Sequence, residues 1–250
     1  MSALAGVAFA ASSLDLLAYS PPGWGANLLR GLGNSVLIAL GAFGVGLAIG
    51  TAGAYGKLYG SPVIRDILAI YTTLVRAVPE LVLILILYFG VTDAVNRVLI
   101  SLGYDAIQIN GVVAGIVVLG VVQGAYATEV LRGAILAVPA GQIEAARAMG
   151  MPPGMLARRI TLPSMLSFAL PGLANLWLVA TKDTALLAVV GFAELTQETR
   201  QAAGTTKAYF TFFMAAGVLY LLLSLTSTLV FARIEKWARR GLRSASGAGR

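Results

Sequence analysis

Five stretches of this chain are each long and apolar enough to cross a bilayer, and nothing else in the sequence limits its fold as strongly. A span needs about 20 apolar residues to cover roughly 30 Å of hydrocarbon. The stretches run from about Leu28 to Tyr55, Asp66 to Val91, Ile109 to Leu136, Phe168 to Leu195, and Tyr209 to Ile234. The expected fold class is therefore an all-α membrane protein with five transmembrane helices. Of the 250 residues only 12% are charged, against about 25% in soluble domains. Cysteine and histidine are both absent, which excludes disulfides, thiol chemistry, the usual zinc ligand sets and imidazole acid/base catalysis.

Basic residues set the expected orientation. Lys57 and Arg65 lie between spans one and two, Arg147, Arg158 and Arg159 between spans three and four, and Lys236, Arg239, Arg240, Arg243 and Arg250 after span five. The alternate loops carry Asp93, Arg97 and Asp105 in one case and Glu198, Arg200 and Lys207 in the other. The positive-inside rule then places the amino terminus outside and the carboxyl terminus inside. Basic loops of this kind also account for the net charge of +7 without a nucleic-acid partner.

Residues 1–27 are expected to form an interfacial segment. Met1 to Ala18 is apolar but interrupted by Ser12, Ser13 and Asp15, lacks the charged start of a signal peptide, and is followed by Pro21-Pro22-Gly23 with Trp24 at headgroup level. The membrane domain is expected over residues 28–240 and a basic tail over 241–250. Gly46 to Gly50, Gly111 to Gly115 and Gly120 to Gly124 have the spacing that lets two helix backbones approach closely in lipid. Five spans do not divide into equal inverted halves. The nearest approach to a phosphate-binding loop, Thr51 to Leu58, has Gly56-Lys57 but lacks both the leading glycine and the closing Ser or Thr. Energy from ATP would have to come from another subunit.

Between spans three and four lies a polar, basic stretch, QIEAARAMGMPPGMLARRITLP, from Gln142 to Pro163. Gln142 to Met149 is Ala-rich and has the composition of a short helix. Gly150 can take the left-handed conformation that ends it, and Pro152-Pro153-Gly154 forces a turn. A second run, Met155 to Thr161, is expected to stop at Pro163. Two short helices joined by a rigid turn make a knob that a soluble partner could grip. Glu144-Ala145-Ala146, three residues, Gly150, nine residues, Ile160, one residue and Leu162-Pro163 resembles the EAA loop of importer permeases of the ATP-binding cassette (ABC) type. The resemblance implies a coupling helix that docks on a cytoplasmic ATPase through Gln142, Glu144, Ala145, Ala146, Arg147 and Gly150.

Charges inside spans cost about 2.5–3.5 kcal/mol each on insertion scales, so each is a functional hypothesis. Arg76-Ala77-Val78-Pro79-Glu80 puts two charges beside a proline kink within the second expected span. Glu129 and Arg132 sit one turn apart in the third, at the spacing of an ion pair along one helix face. Lys182-Asp183-Thr184 falls in the middle of the fourth. Adjacent residues project about 100° apart on a helix, so Lys182 and Asp183 face one neighbour only if the helix is broken there, as in midplane transporter sites.

A wider resemblance covers about Asn27 to Trp237. Arg-x-x-Pro-acidic-Leu with Tyr88-Phe89-Gly90, Gly124-Ala125-Tyr126 with Glu129 and Arg132-Gly133-Ala134, Val138-Pro139-x-Gly141-Gln142, Leu170-Pro171, Asn175 and Lys182-x-Thr184 is similar to the polar amino acid uptake permeases, in the branch serving histidine, lysine, arginine, ornithine and opines. The resemblance implies a type I ABC importer permease fold in a bacterial inner membrane. It implies as partners a second permease subunit, a paralogue in preference to an identical chain with both left open, two ATPase subunits carrying ATP-Mg, a periplasmic amino-acid-binding protein and membrane lipid. No cofactor or metal is implied in this chain, which would be a transport subunit and not an enzyme. It implies a small substrate cavity lined by Arg76, Pro79, Glu80, Glu129, Lys182, Asp183 and Thr184. Glu80 departs from the neutral residue that many members carry, and three acidic groups near two basic ones suit a cationic amino acid. The alternative reading is a channel or secondary carrier using the intramembrane charges, which would transport without ATPase subunits.

Overall fold

The computed structural model of the protein describes residues 15–21, 23–106 and 110–238. Every regular element among them is helical: α1 (Gly25–Tyr59), α2 (Pro62–Ala77), α3 (Glu80–Ser101), α4 (Gly111–Leu136), α5 (Ala140–Ala148), α6 (Pro153–Leu156), a π-helical turn (Ala157–Thr161), α7 (Leu162–Asp183), a 3₁₀ segment (Thr184–Val190), α8 (Leu195–Thr206) and α9 (Tyr209–Ala238). Among the described residues, five helical stretches are long and apolar enough to span a membrane: Gly25–Tyr59, Glu80–Ser101, Gly111–Leu136, Pro153–Val190 and Tyr209–Ala238. Expectations for Met1–Leu14 and for the tail over 241–250 lie outside the described residues.

Two of the expected spans differ from the observed ones, and proline explains both. The second was expected from Asp66 to Val91 with a kink inside it. Instead α2 ends at Ala77, Val78 is extended at φ −95° and ψ 137°, and the spanning helix α3 starts at Glu80. Pro79 has no N–H to offer and disfavours helical geometry in the residue before it. α2 begins as cleanly, with Ser61 as its cap, accepting from Ile64 N, and Pro62 in its first turn. The break also moves Asp93 and Arg97, expected in a loop, onto α3, where Arg97 Nε and Asp93 Oδ2 pair at 2.7 Å. The fourth span was expected from Phe168, with a stop at Pro163. The helix instead runs on from Pro153 through the π-helical turn into α7: in the wider turn just before Pro163, Leu162 N donates to Ala157 O, and this local widening accommodates a proline ring and its missing N–H inside a continuous helix.

The chain forms two compact units, one of Met1–Ala42, Leu81–Leu119 and Ala180–Ser224, the other of Phe43–Glu80, Gly120–Val179 and Leu225–Arg250. In the first, Ile38, Ala42, Ile84, Ala114, Leu119, Leu187 and Phe192 form one apolar cluster. A second cluster gathers Leu28, Leu195, Ala202, Phe212 and Ala216, with Leu16, Leu17 and Trp24 packed against it. Trp24 N donates to Leu16 O at 2.8 Å, which folds the residues before α1 back onto that cluster.

In the second unit α1 and α4 meet backbone to backbone. A Cβ at Gly50 would lie 2.5 Å from the Ala127 Cβ, and one at Gly124 would lie 2.6 Å from Ile49 Cγ2. Small residues at this crossing supply the close van der Waals contact that holds helices together in lipid. The core beneath it continues through Ala127, Leu131, Ala134, Ile135 and Val138 to Met165, Ala169 and Leu173 of α7, with Ile143 of α5 packed against it.

Candidate functional site

The lever expected at Gln142–Gly150 is α5. Its inward face is small and apolar: Ala146 is buried and Ile143 packs on the core that joins α4 to α7. Gln142 Oε1 accepts from Ser164 Oγ at 3.2 Å, tying the start of α5 to α7. Gln142, Glu144, Ala145, Arg147, Met149 and Gly150 are exposed, and Met149 is 85% accessible. Gly150 adopts φ +74°, and the amides of Gly150 and Met151 donate to Arg147 O at 2.9 Å and Ala146 O at 3.1 Å. This is the left-handed stop that glycine permits without steric cost. The result is a polar knob with one exposed apolar tip, rooted by two side chains.

The intramembrane charges fall into three groups. Lys57, on the last turn of α1, puts Nζ 2.6 Å from Glu129 Oε1 on α4 and 2.6 Å from Thr72 Oγ1 on α2. The other oxygen, Oε2, accepts from Arg132 Nη2 at 2.8 Å and Nε at 3.1 Å. The Lys57 ammonium therefore ties three helices of this unit together, α1 to Thr72 of α2 and to Glu129 of α4. The Glu129–Arg132 pair follows from the spacing of three residues. Lys57 is 72 residues away, and no local spacing in the sequence pairs it with Glu129. Beside this group the Tyr71 hydroxyl donates to Val121 O.

In the same unit Arg76 is exposed in the last turn of α2, Pro79 is exposed in the break, and Glu80 opens α3 partly exposed. In the first unit the helix changes type directly after Asp183, from α to 3₁₀. Lys182 is exposed, whereas Asp183 and Thr184 are buried, so the adjacent charges do point apart. Thr184 Oγ1 donates to Thr181 O at 2.9 Å.

Sequence reasoning missed one buried carboxylate. Glu194 is fully buried and caps α8, accepting from Gln197 N at 2.7 Å on Oε1 and from Thr196 N at 2.8 Å on Oε2. Oε2 also accepts from Tyr220 OH at 3.0 Å and from Ser35 Oγ at 3.4 Å, and Ser35 Oγ accepts in turn from Leu195 N at 3.1 Å. Burial pushes this carboxyl above the usual carboxylate range, opposed by the bonds from Thr196, Gln197, Tyr220 and Ser35. Gly191, which ends the preceding helical segment, followed by the polar Thr196-Gln197-Glu198 was the available signal for a new helix start. Among the described residues no group of three or more His, Cys, Asp or Glu could hold a metal ion.

A change of helix type beside the buried Asp183 within the span Pro153–Val190, together with an exposed knob rooted in the core, suits the membrane-spanning part of a transporter. Comparison makes this specific: the chain belongs to the family of binding-protein-dependent transport system inner membrane components, whose model matches residues 27–240. It is 43% identical to the nopaline transport system permease protein NocQ of Agrobacterium fabrum, over 92% of this chain and 99% of that one. It is 40% identical to the histidine/lysine/arginine/ornithine transport system permease protein HisQ of Salmonella typhimurium, over 89% of this chain and 98% of that one. A chain in the crystal structure of an amino acid ABC transporter with histidines superposes with a TM-score of 0.73 at 28% identity, covering 85% of this chain and 94% of the other. The protein is thus a multi-pass permease subunit of an ABC importer. It transports and is not an enzyme, and ATP hydrolysis belongs to a separate subunit of such importers.

Proposed function

We propose that this chain carries cationic amino acids or opines across a bacterial inner membrane, with its amino terminus outside and α5 in the cytoplasm. It would pair with a paralogous permease, two ATPase subunits binding ATP-Mg, and a periplasmic binding protein. The observation that carries the substrate class is the similarity, at 40% identity or more over about nine-tenths of the chain, to permeases named for nopaline and for histidine, lysine, arginine and ornithine. The exposed Glu144, Ala145, Arg147 and Met149 would seat in the ATPase, with Ile143 and Ala146 passing its motion into α4 and α7. Closure of the ATPases on ATP favours one state of the spans, and the shift follows from that difference in affinity.

Substrate contacts are assigned to the two helix breaks, to Arg76, Pro79 and Glu80 at one and to Lys182, Asp183 and Thr184 at the other. Broken helices at these points free backbone groups and charges to meet a polar solute. Glu129, both of whose oxygens are held by cations, takes a positioning role instead. The test is uptake by the assembled importer with Gly150→Val. A branched side chain at φ +74° distorts the end of α5, so ATP-driven uptake of arginine should be lost while membrane insertion is retained; intact uptake would contradict the coupling role.

A further inference from the structure

The 3₁₀ segment Thr184–Val190 is seven residues long, whereas 3₁₀ runs beyond three or four residues are uncommon because their hydrogen bonds are poorly aligned. A segment of this length needs support from outside itself. Leu187 sits in the apolar cluster with Ile38, Ile84 and Leu119, but apolar packing is non-directional. Directional bonds have to fix where the helix changes type, and they come from α8 and its cap.

Within the segment, Arg200 Nη1 of α8 donates to Ala188 O at 3.2 Å. At its first residue the support passes through two buried groups. The Thr184 hydroxyl is in hydrogen-bonding contact with the Tyr220 hydroxyl, and Tyr220 OH donates to Glu194 Oε2 at 3.0 Å. A phenol carries one hydrogen and a carboxylate is a stronger acceptor than a neutral oxygen, so Glu194 takes that hydrogen and leaves the Tyr220 oxygen open to Thr184. Thr184 then has two acceptors for its own hydrogen, Thr181 O at 2.9 Å and the Tyr220 oxygen. Ser, Thr, Asp and Asn are the usual helix caps, and their short side chains would serve α8 alone. A fully buried glutamate carries a larger desolvation cost, and its longer side chain also reaches Ser35 and Tyr220, which points to a use beyond capping.

We propose that Glu194, acting through Tyr220, is a positioning residue for transport: it holds Thr184, and with it the change of helix type beside Asp183, in place. The link to the 3₁₀ segment is independent of the substrate. Only its effect on arginine rests on the substrate contacts proposed above.

The test uses the assembled importer in detergent, with amide hydrogen exchange over residues 185–190 read by mass spectrometry and arginine binding measured without the binding protein. Tyr220→Phe removes the hydroxyl and keeps the ring; it should speed that exchange and weaken arginine binding, each about fivefold, the net worth of one hydrogen bond. Glu194→Gln should do the same, and the double variant should lose no more than either alone, because the two act in one chain. Ser35→Ala controls for general loosening. It removes a donor to the same carboxylate and the acceptor of the Leu195 amide without touching Thr184, so exchange should rise at Leu195 while residues 185–190 and the arginine affinity stay as in the unaltered chain. Unchanged exchange over 185–190 in Tyr220→Phe, equal losses in Ser35→Ala, or additive losses in the double variant would overturn the assignment. So would faster exchange with arginine affinity unchanged. If Glu194→Gln fails to fold, Tyr220→Phe against Ser35→Ala decides the matter. Faster exchange in Tyr220→Phe, in an importer whose unaltered form binds no arginine, would support the link and remove the substrate reading instead.

Discussion

Replacing Glu129 by Gln removes the charge that Lys57 and Arg132 share while keeping the side chain's size and one acceptor oxygen. The magnitude lies between two limits. Exposed ion pairs contribute about 0–1 kcal/mol, whereas breaking a fully buried pair costs about 3–5 kcal/mol because a charge is left uncompensated. The Lys57 side chain is 13% exposed and that of Glu129 is 20%, nearer the buried limit, so a loss of about 2–3 kcal/mol is expected. For a chain of this length that is a fall of roughly 4–12 °C in unfolding temperature. The assay is thermal unfolding of the assembled importer in detergent, for Glu129→Gln, Lys57→Met and the double variant. Removing both charges should recover much of the loss, because the stranded ammonium is then gone. The preference for arginine over glutamine in uptake should be the same in Glu129→Gln as in the unaltered chain. Unfolding of the single variant at the original temperature, or a double variant no better than the single, would refute the reasoning.

Three further outcomes are expected. Gly50→Leu forces a side chain into the 2.5 Å approach to Ala127, and should lower stability by about 1–3 kcal/mol, read as reduced yield of folded protein; normal yield would mean that α1 and α4 do not cross as described. Glu194 keeps its proton to higher pH folded than unfolded, so from the ordinary carboxylate range upward the unfolded state binds fewer protons and stability falls as pH rises. Glu194→Gln should remove that component, which shows as a flatter dependence of unfolding temperature on pH; equal slopes would contradict it. Glu80→Gln should reduce arginine uptake more than glutamine uptake, and equal loss of both would remove the charge argument for a cationic substrate.

Much of this arrangement was legible because lipid leaves few options. The apolar lengths of α1, α4 and α9 exceed what a soluble helix needs, and the glycine spacing of Gly46 to Gly50 forecast the close face that α1 offers to Gln123 and Ala127. Gly150 was placed in the left-handed region from its position after an Ala-rich run, and it is there. Hydropathy failed where proline decided the geometry. A window over Asp66–Val91 cannot register that Pro79 ends one helix and starts the next, nor that a π-helical turn carries the fourth span past Pro163. The charge network was half legible. Arg132 is one turn from Glu129, but the approach of Lys57 depends on where α1 ends relative to α4, a tertiary fact with no local signature. Glu194 was not legible because hydropathy carries the fourth expected span through Leu195, whereas the helical run stops at Gly191, and its partners Ser35 and Tyr220 lie far away in the sequence.

The central claim is that this chain moves its substrate only when driven through α5 by an ATPase that it does not itself contain. Uptake of labelled arginine should be measured in proteoliposomes holding the permease pair and binding protein, with the ATPase subunits present or omitted. The expected result is accumulation that needs both the ATPase subunits and ATP. Accumulation of the same extent with the ATPase omitted would contradict it.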